Sequence, residues 1–121
     1  MAIQSLDQKI AAITHTQATT VLKLGQGAKK EVGGYIKKTA SRLRVSGLGV
    51  TVTFCHKDND LKPVADVLET CLRGLGALAP GTDVLTAYRT ASAAKVRQLQ
   101  TYSEQILEWL AKWADTYKTP G

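Results

Sequence analysis

The sequence predicts an all-α fold: a single-domain bundle of about five to six helices, closed by a long C-terminal helix. Three observations lead there. Apolar residues recur three and four apart through most of the chain, cap and breaker residues divide it into helix-sized pieces, and only one short stretch reads as strand. At 121 residues with 44% hydrophobic and 21% charged side chains, residues 1–121 make one domain with its own core and leave no room for a second.

Ser5 with Gln8 forms a capping box, and Leu6, Ile10, Ile13, Val21 and Leu24 follow helical spacing, so a first helix is expected from about Leu6 to Leu24. Gly25-Gln26-Gly27 supplies its stop. The second helix carries Val32, Tyr35, Ile36, Thr39 and Leu43 on one face. Gly33-Gly34 weakens its beginning, which places the start near Tyr35.

Residues 50–57 alternate and are rich in β-branched side chains, the local signature of a strand. Nothing else in the chain offers a strand to pair with, so a short helix is expected instead. Asp60 and Pro63 suit a helix start, and Val64, Val67, Leu68, Cys71, Leu72 and Leu75 give that helix its buried face up to Gly74 or Gly76. Thr82 and Asp83 can cap a further helix through Tyr88. In the last segment Val96, Leu99, Ser103, Ile106, Leu110, Trp113 and Tyr117 alternate three and four apart, a seam for a bundle core or for another subunit.

The formal charge is +6, and six of the sixteen basic side chains crowd residues 29–44: Lys29, Lys30, Lys37, Lys38, Arg42 and Arg44, against the single acid Glu31. Such density points to a polyanion, most readily nucleic acid. On a helical wheel Lys30, Lys37 and Arg44 drift only ~20° per seven residues and form a stripe opposite the apolar face, flanked by Lys38 and Arg42. The small residues Gly34 and Ser41 lie beside it, where a nucleic-acid backbone can approach closely. Lys23, Arg89, Lys95 and Arg97 are further cations able to extend the surface. The competing reading is a solvated helix face.

Catalytic and metal chemistry find little support. Cys55 and His56 are sequence neighbours, which on a helix point about 100° apart and make a poor nucleophile–base pair. His15 and His56 are too few for a zinc set. Asp58-Asn59-Asp60 imitates the start of a calcium loop, but Lys62 occupies the next ligand position. Gly25-Gln26-Gly27-Ala28-Lys29-Lys30 completes no phosphate-binding motif. No catalytic residue, metal site or cofactor is expected. Cys55 and Cys71, sixteen apart, read as buried reduced thiols. Neither a signal peptide nor a stretch of ~18 apolar residues is present, which suggests a cytoplasmic protein without a membrane partner.

Two motifs carry a family resemblance. Leu43-Arg44-Val45-Ser46-Gly47-Leu48-Gly49 followed by Phe54 is similar to the small α-helical subunit of the type III-B CRISPR effector, the Cmr complex, in which an arginine-ended helix meets a Gly-Leu-Gly turn and a short helix bearing phenylalanine. Tyr88-Arg89-Thr90-Ala91 ahead of a helix containing Trp109-Leu110-Ala111-Lys112-Trp113-Ala114 resembles the same family. Val50-Thr51-Val52-Thr53 departs from the good helix formers usual there. The resemblance implies a non-catalytic, all-α protein lying in several copies along a ribonucleoprotein filament. Its partners would be the backbone and large subunits, neighbouring copies, and the guide and target RNA. The alternatives are a protein-only helical adaptor, or the small subunit of a type III-A or type I effector.

Overall fold

The computed structural model describes residues 4–27 and 30–117. Among these residues the chain forms six helices and no strand: α1 (Leu6–Thr20), α2 (Val32–Ser46), α3 (Leu48–His56), α4 (Lys62–Gly74), α5 (Val84–Thr90) and α6 (Ala93–Thr116). The all-α bundle and its long last helix are as the sequence predicts.

The expected capping box opens α1. The Gln8 N–H donates to Ser5 Oγ at 3.1 Å and the Ser5 N–H donates to Gln8 Oε1 at 2.8 Å. The helix ends at Thr20, four residues short of the expected Leu24. Its last turns are threonine-rich, and the hydroxyls of Thr19 and Thr20 donate back to the His15 and Thr16 carbonyls. Lys23 then adopts φ 60°, a left-handed conformation that turns the chain. Leu22 and Leu24 reach the core through this turn while Val21, placed by periodicity on the apolar face, is 50% exposed.

The second helix starts at Val32, before the expected Tyr35, with Gly33 and Gly34 inside its first turn. It ends at Gly47, whose φ of 84° is open to glycine and strained for other residues. The Gly47 N–H donates to the Leu43 carbonyl, and the Gly47 carbonyl accepts from the N–H and hydroxyl of Thr51. One glycine therefore closes α2 and opens α3. The strand-like stretch is helical, as the lack of a pairing partner requires. Thr51 and Thr53 return their hydroxyls to the carbonyls of Gly47 and Gly49, and Leu48, Thr51, Val52 and Cys55 are buried.

Pro63 sits in the first turn of α4, and that helix ends at the expected Gly74. Asp83 caps α5, its carboxylate accepting the Thr86 N–H at 2.7 Å. This bond holds the Asp83 carboxyl below its ordinary pKa. Ser92 caps α6, a role its sequence position did not announce.

The α6 seam faces inward. Leu99, Ser103, Ile106 and Leu110 are fully buried, and the helix packs chiefly on α2 and α1. Along α1 it is pinned by polar ends of aromatic side chains. Trp109 Nε1 donates to Asp7 at 2.9 Å, Trp113 Nε1 donates to Thr14 Oγ1 at 3.0 Å, and the Tyr117 hydroxyl lies 2.6 Å from His15 Nε2. Trp109, Trp113 and Tyr117 are thereby packing groups of the bundle. Cys55 and Cys71 are free and buried.

Candidate nucleic-acid interface

Four of the six clustered cations stand on α2, and the helix divides them between two flanks. Lys37 and Arg44 lean toward α6, lining with Ala40, Leu107, Glu108 and Lys112 a groove of about 340 Å³ between the two helices. Lys37 Nζ meets Asp115 Oδ1 at 2.8 Å, and Arg44 lies 3.9 Å from Glu108. All four side chains remain more than half exposed, so each pair contributes at most about 1 kcal/mol.

Arg42 turns to the opposite flank. Its guanidinium carbon rests 3.7 Å above the ring centre of Phe54 on α3, and its buried Nε has no hydrogen-bond partner among the described residues. The nearby charge also acts on Cys55. Burial pushes that thiol up, and the Thr39 hydroxyl and Arg42 only partly offset it. A buried thiol held protonated, with His56 exposed next to it, is a poor nucleophile.

Lys38 is exposed one turn before Arg42, on the same flank, and makes no ion pair with a described residue. Lys30 is exposed in the turn before α2, so the helical part of the stripe runs from Lys37 to Arg44. Lys29 lies outside the described residues. Gly34 and Ser41 are exposed on the outward face of α2. Of the cations named as extensions, Arg89 lies beside α3 with Lys57, Lys23 lines a groove with Asp60, and Lys95 Nζ donates to Gln98.

Sequence reasoning missed the acids opposite α2. Glu108 and Asp115 are more than sixty residues from their partners, and their place on α6 becomes relevant only when that helix packs beside α2. It also missed Gln100. From α6 its Nε2 donates to the Leu43 carbonyl at 3.1 Å and its Oε1 accepts the Leu48 N–H at 2.9 Å, so one amide caps the end of α2 and the start of α3.

The two sequence motifs meet in space. A Cβ added at Gly49 would stand 2.8 Å from Cε1 of Tyr88, so the second glycine of the Gly-Leu-Gly motif, which lies inside α3 and not in the expected turn, lets α5 close on α3. A family model described as CRISPR-associated protein (Cas_Cmr5) matches residues 6–117, a span that takes in all six helices. The chain belongs to the Cas_Cmr5 family. No curated protein and no solved structure matches it. Cas_Cmr5 is the small-subunit family of the type III-B system, which agrees with the resemblance carried by the two motifs and sets aside the type III-A and type I alternatives. Membership makes the chain a Cmr-type small subunit, a component of a complex with other subunits. No helix among the described residues is long and apolar enough to cross a membrane.

Proposed function

We propose that this chain is a non-catalytic, cytoplasmic, single-domain small subunit that packs along the guide filament of a type III-B effector and helps to hold guide-paired target RNA through the cations of α2. The observation that carries the reading is the run of Lys30, Lys37, Lys38, Arg42 and Arg44, four of them exposed and Arg42 half-buried, with Glu31 the one acid among residues 30–44. Family membership supplies the setting.

Contacts of this kind grip phosphate without reading bases. Sequence selection is left to the guide. Arg42 is already oriented by Phe54, so its planar guanidinium loses little freedom on meeting a phosphate. Lys37 and Arg44 would exchange weak exposed carboxylate pairs for phosphate oxygens. One subunit neutralises few phosphates, so useful affinity arises from copies arrayed on one strand. The partners are the backbone and large subunits, neighbouring copies, and the guide and target RNA. No cofactor is required.

The protein-only adaptor is a second reading, favoured by one specific observation: Asp115 and Glu108 already face half of the α2 cations. Target-RNA binding by the assembled complex across a salt series separates the two. With Lys30, Lys37 and Arg44 changed to Glu, the logarithmic salt slope is expected to flatten by about 0.7 for each lost single-strand contact while assembly persists. Lys38→Glu with Arg42→Glu probes the other flank in the same way. Unchanged slopes in both variants would leave the adaptor reading.

A further inference from the structure

A second surface lies around the corner from the α2 cations. Between α3 and α5 runs an open groove of about 620 Å³, walled by Val50, Phe54, Leu85 and Tyr88 and rimmed by Lys57 and Arg89. Val50 is 56% exposed and Phe54 37%, although both belong to a helix whose other face is buried. The α3–α5 pair thus leaves an apolar face without a partner.

The chemistry of the groove selects among occupants. One face of Phe54 is covered by the Arg42 guanidinium and the Tyr88 ring packs close to Gly49, which leaves less open aromatic surface for stacked bases. The remaining walls are aliphatic, suited to the side chains of a protein. Among the described residues no carboxylate lines the groove. The nearby acid Asp83 accepts the Thr86 N–H at the start of α5 and feels the Arg89 charge without forming an ion pair with it. Neither Lys57 nor Arg89 makes an ion pair with a described carboxylate, so both are open to carboxylates from outside.

A second copy fits badly. Groove against groove would set cation against cation, which opposes association. The other exposed large hydrophobics among the described residues are Leu6, Val21 and Val45. Val45 adjoins Arg44, Val21 lies two residues from Lys23, and Leu6 has only Asp7, which already accepts from Trp109.

We propose that the α3–α5 groove docks a segment of another protein subunit, with apolar side chains seated between Val50, Phe54 and Leu85 and flanking Asp or Glu residues paired with Lys57 and Arg89. The inference rests on the chain's place in a multisubunit complex and is independent of the α2 contact with RNA.

The test uses the assembled complex containing the full chain, with the photoreactive amino acid p-benzoylphenylalanine in place of Val50 and crosslinked peptides identified by mass spectrometry. The expected product joins this chain to an acid-flanked apolar segment of a different subunit. Val50→Glu, at an exposed position, is expected to reduce incorporation at least ten-fold with an unchanged melting temperature. Lys57→Glu with Arg89→Glu should do the same, and reversing the crosslinked carboxylates to Lys should restore incorporation. Crosslinks to RNA or to another copy of the chain would overturn the proposal, as would Val50→Glu incorporation equal to wild type. A wild-type chain that fails to enter the complex would defeat the small-subunit reading as well, whereas a flat α2 salt response with the groove crosslink intact would defeat the RNA reading alone.

Discussion

Lys37 and Lys38 are adjacent in sequence and differ in what they can do. A helix turns 100° between them, which sets Lys37 against Asp115 and leaves Lys38 exposed on the flank of Arg42. The wheel separates the two side chains, but only packing says which one meets α6. Removing the acids offers a gain-of-function check. Asp115→Asn with Glu108→Gln should free Lys37 and Arg44 and raise RNA retention by the complex up to about five-fold for each cation released, measured by filter binding at low salt. No increase would mean that neither cation reaches RNA. Gly34 is a second case. Nothing lies within 4 Å of a Cβ added there, and its backbone conformation is one that alanine shares. Gly34→Ala should therefore stabilise the isolated chain by about 0.5 kcal/mol, read from urea denaturation. If the missing side chain serves close approach of an RNA backbone, the same variant should weaken RNA retention in spite of its greater stability.

At the scale of the elements, the caps at Ser5 and Asp83 are legible in the sequence, whereas the start of α2 and the cap at Ser92 are not. Ser5 with Gln8 and Asp83 act through atoms within three residues, so the local sequence contains the whole interaction. The end of α1 was misplaced because Leu22 and Leu24 are apolar and buried as the periodicity demands, yet they reach the core from a turn around Lys23. The opposite conflict arose in α3, whose β-branched residues prefer a strand by themselves. The absence of any partner strand decided the matter, and that argument belongs to the chain as a whole. What no local rule contains is Gln100, which reaches fifty-seven residues back to Leu43 and fifty-two to Leu48. Gln100→Ala should leave the Leu48 N–H without its partner and the Leu43 carbonyl with the Gly47 N–H alone, costing roughly 1–3 kcal/mol in urea unfolding and speeding exchange of the Leu48 amide. Equal loss of stability without faster exchange at Leu48 would point to lost packing instead.

For the molecule as a whole, the buried thiols report on global opening. Burial pushes Cys71 up to about 12 from 9.0, so the native state keeps its proton where the unfolded chain has released it. The sign follows directly. This contribution is fully present below pH 9 and is lost as pH rises from 9 toward 12. The urea midpoint should fall over that window, and Cys71→Ala should lose the corresponding part of the decline. Native protein should react slowly with a thiol reagent at pH 8 until denaturant is added. Rapid reaction without denaturant would show that α4 opens on its own.

The elbow at Gly47 has a wider consequence. The charged face of α2 and the apolar groove of α3 and α5 lie on either side of one residue, and the Gln100 amide from α6 grips the backbone on both sides of it. The angle between those faces is therefore set by the body of the bundle and not by the flexibility of a glycine. Anything seated on one face is held at a constant bearing to anything seated on the other. Were copies arrayed along a filament as proposed, the elbow would act as a set-square, repeating the same offset between two tracks from one copy to the next.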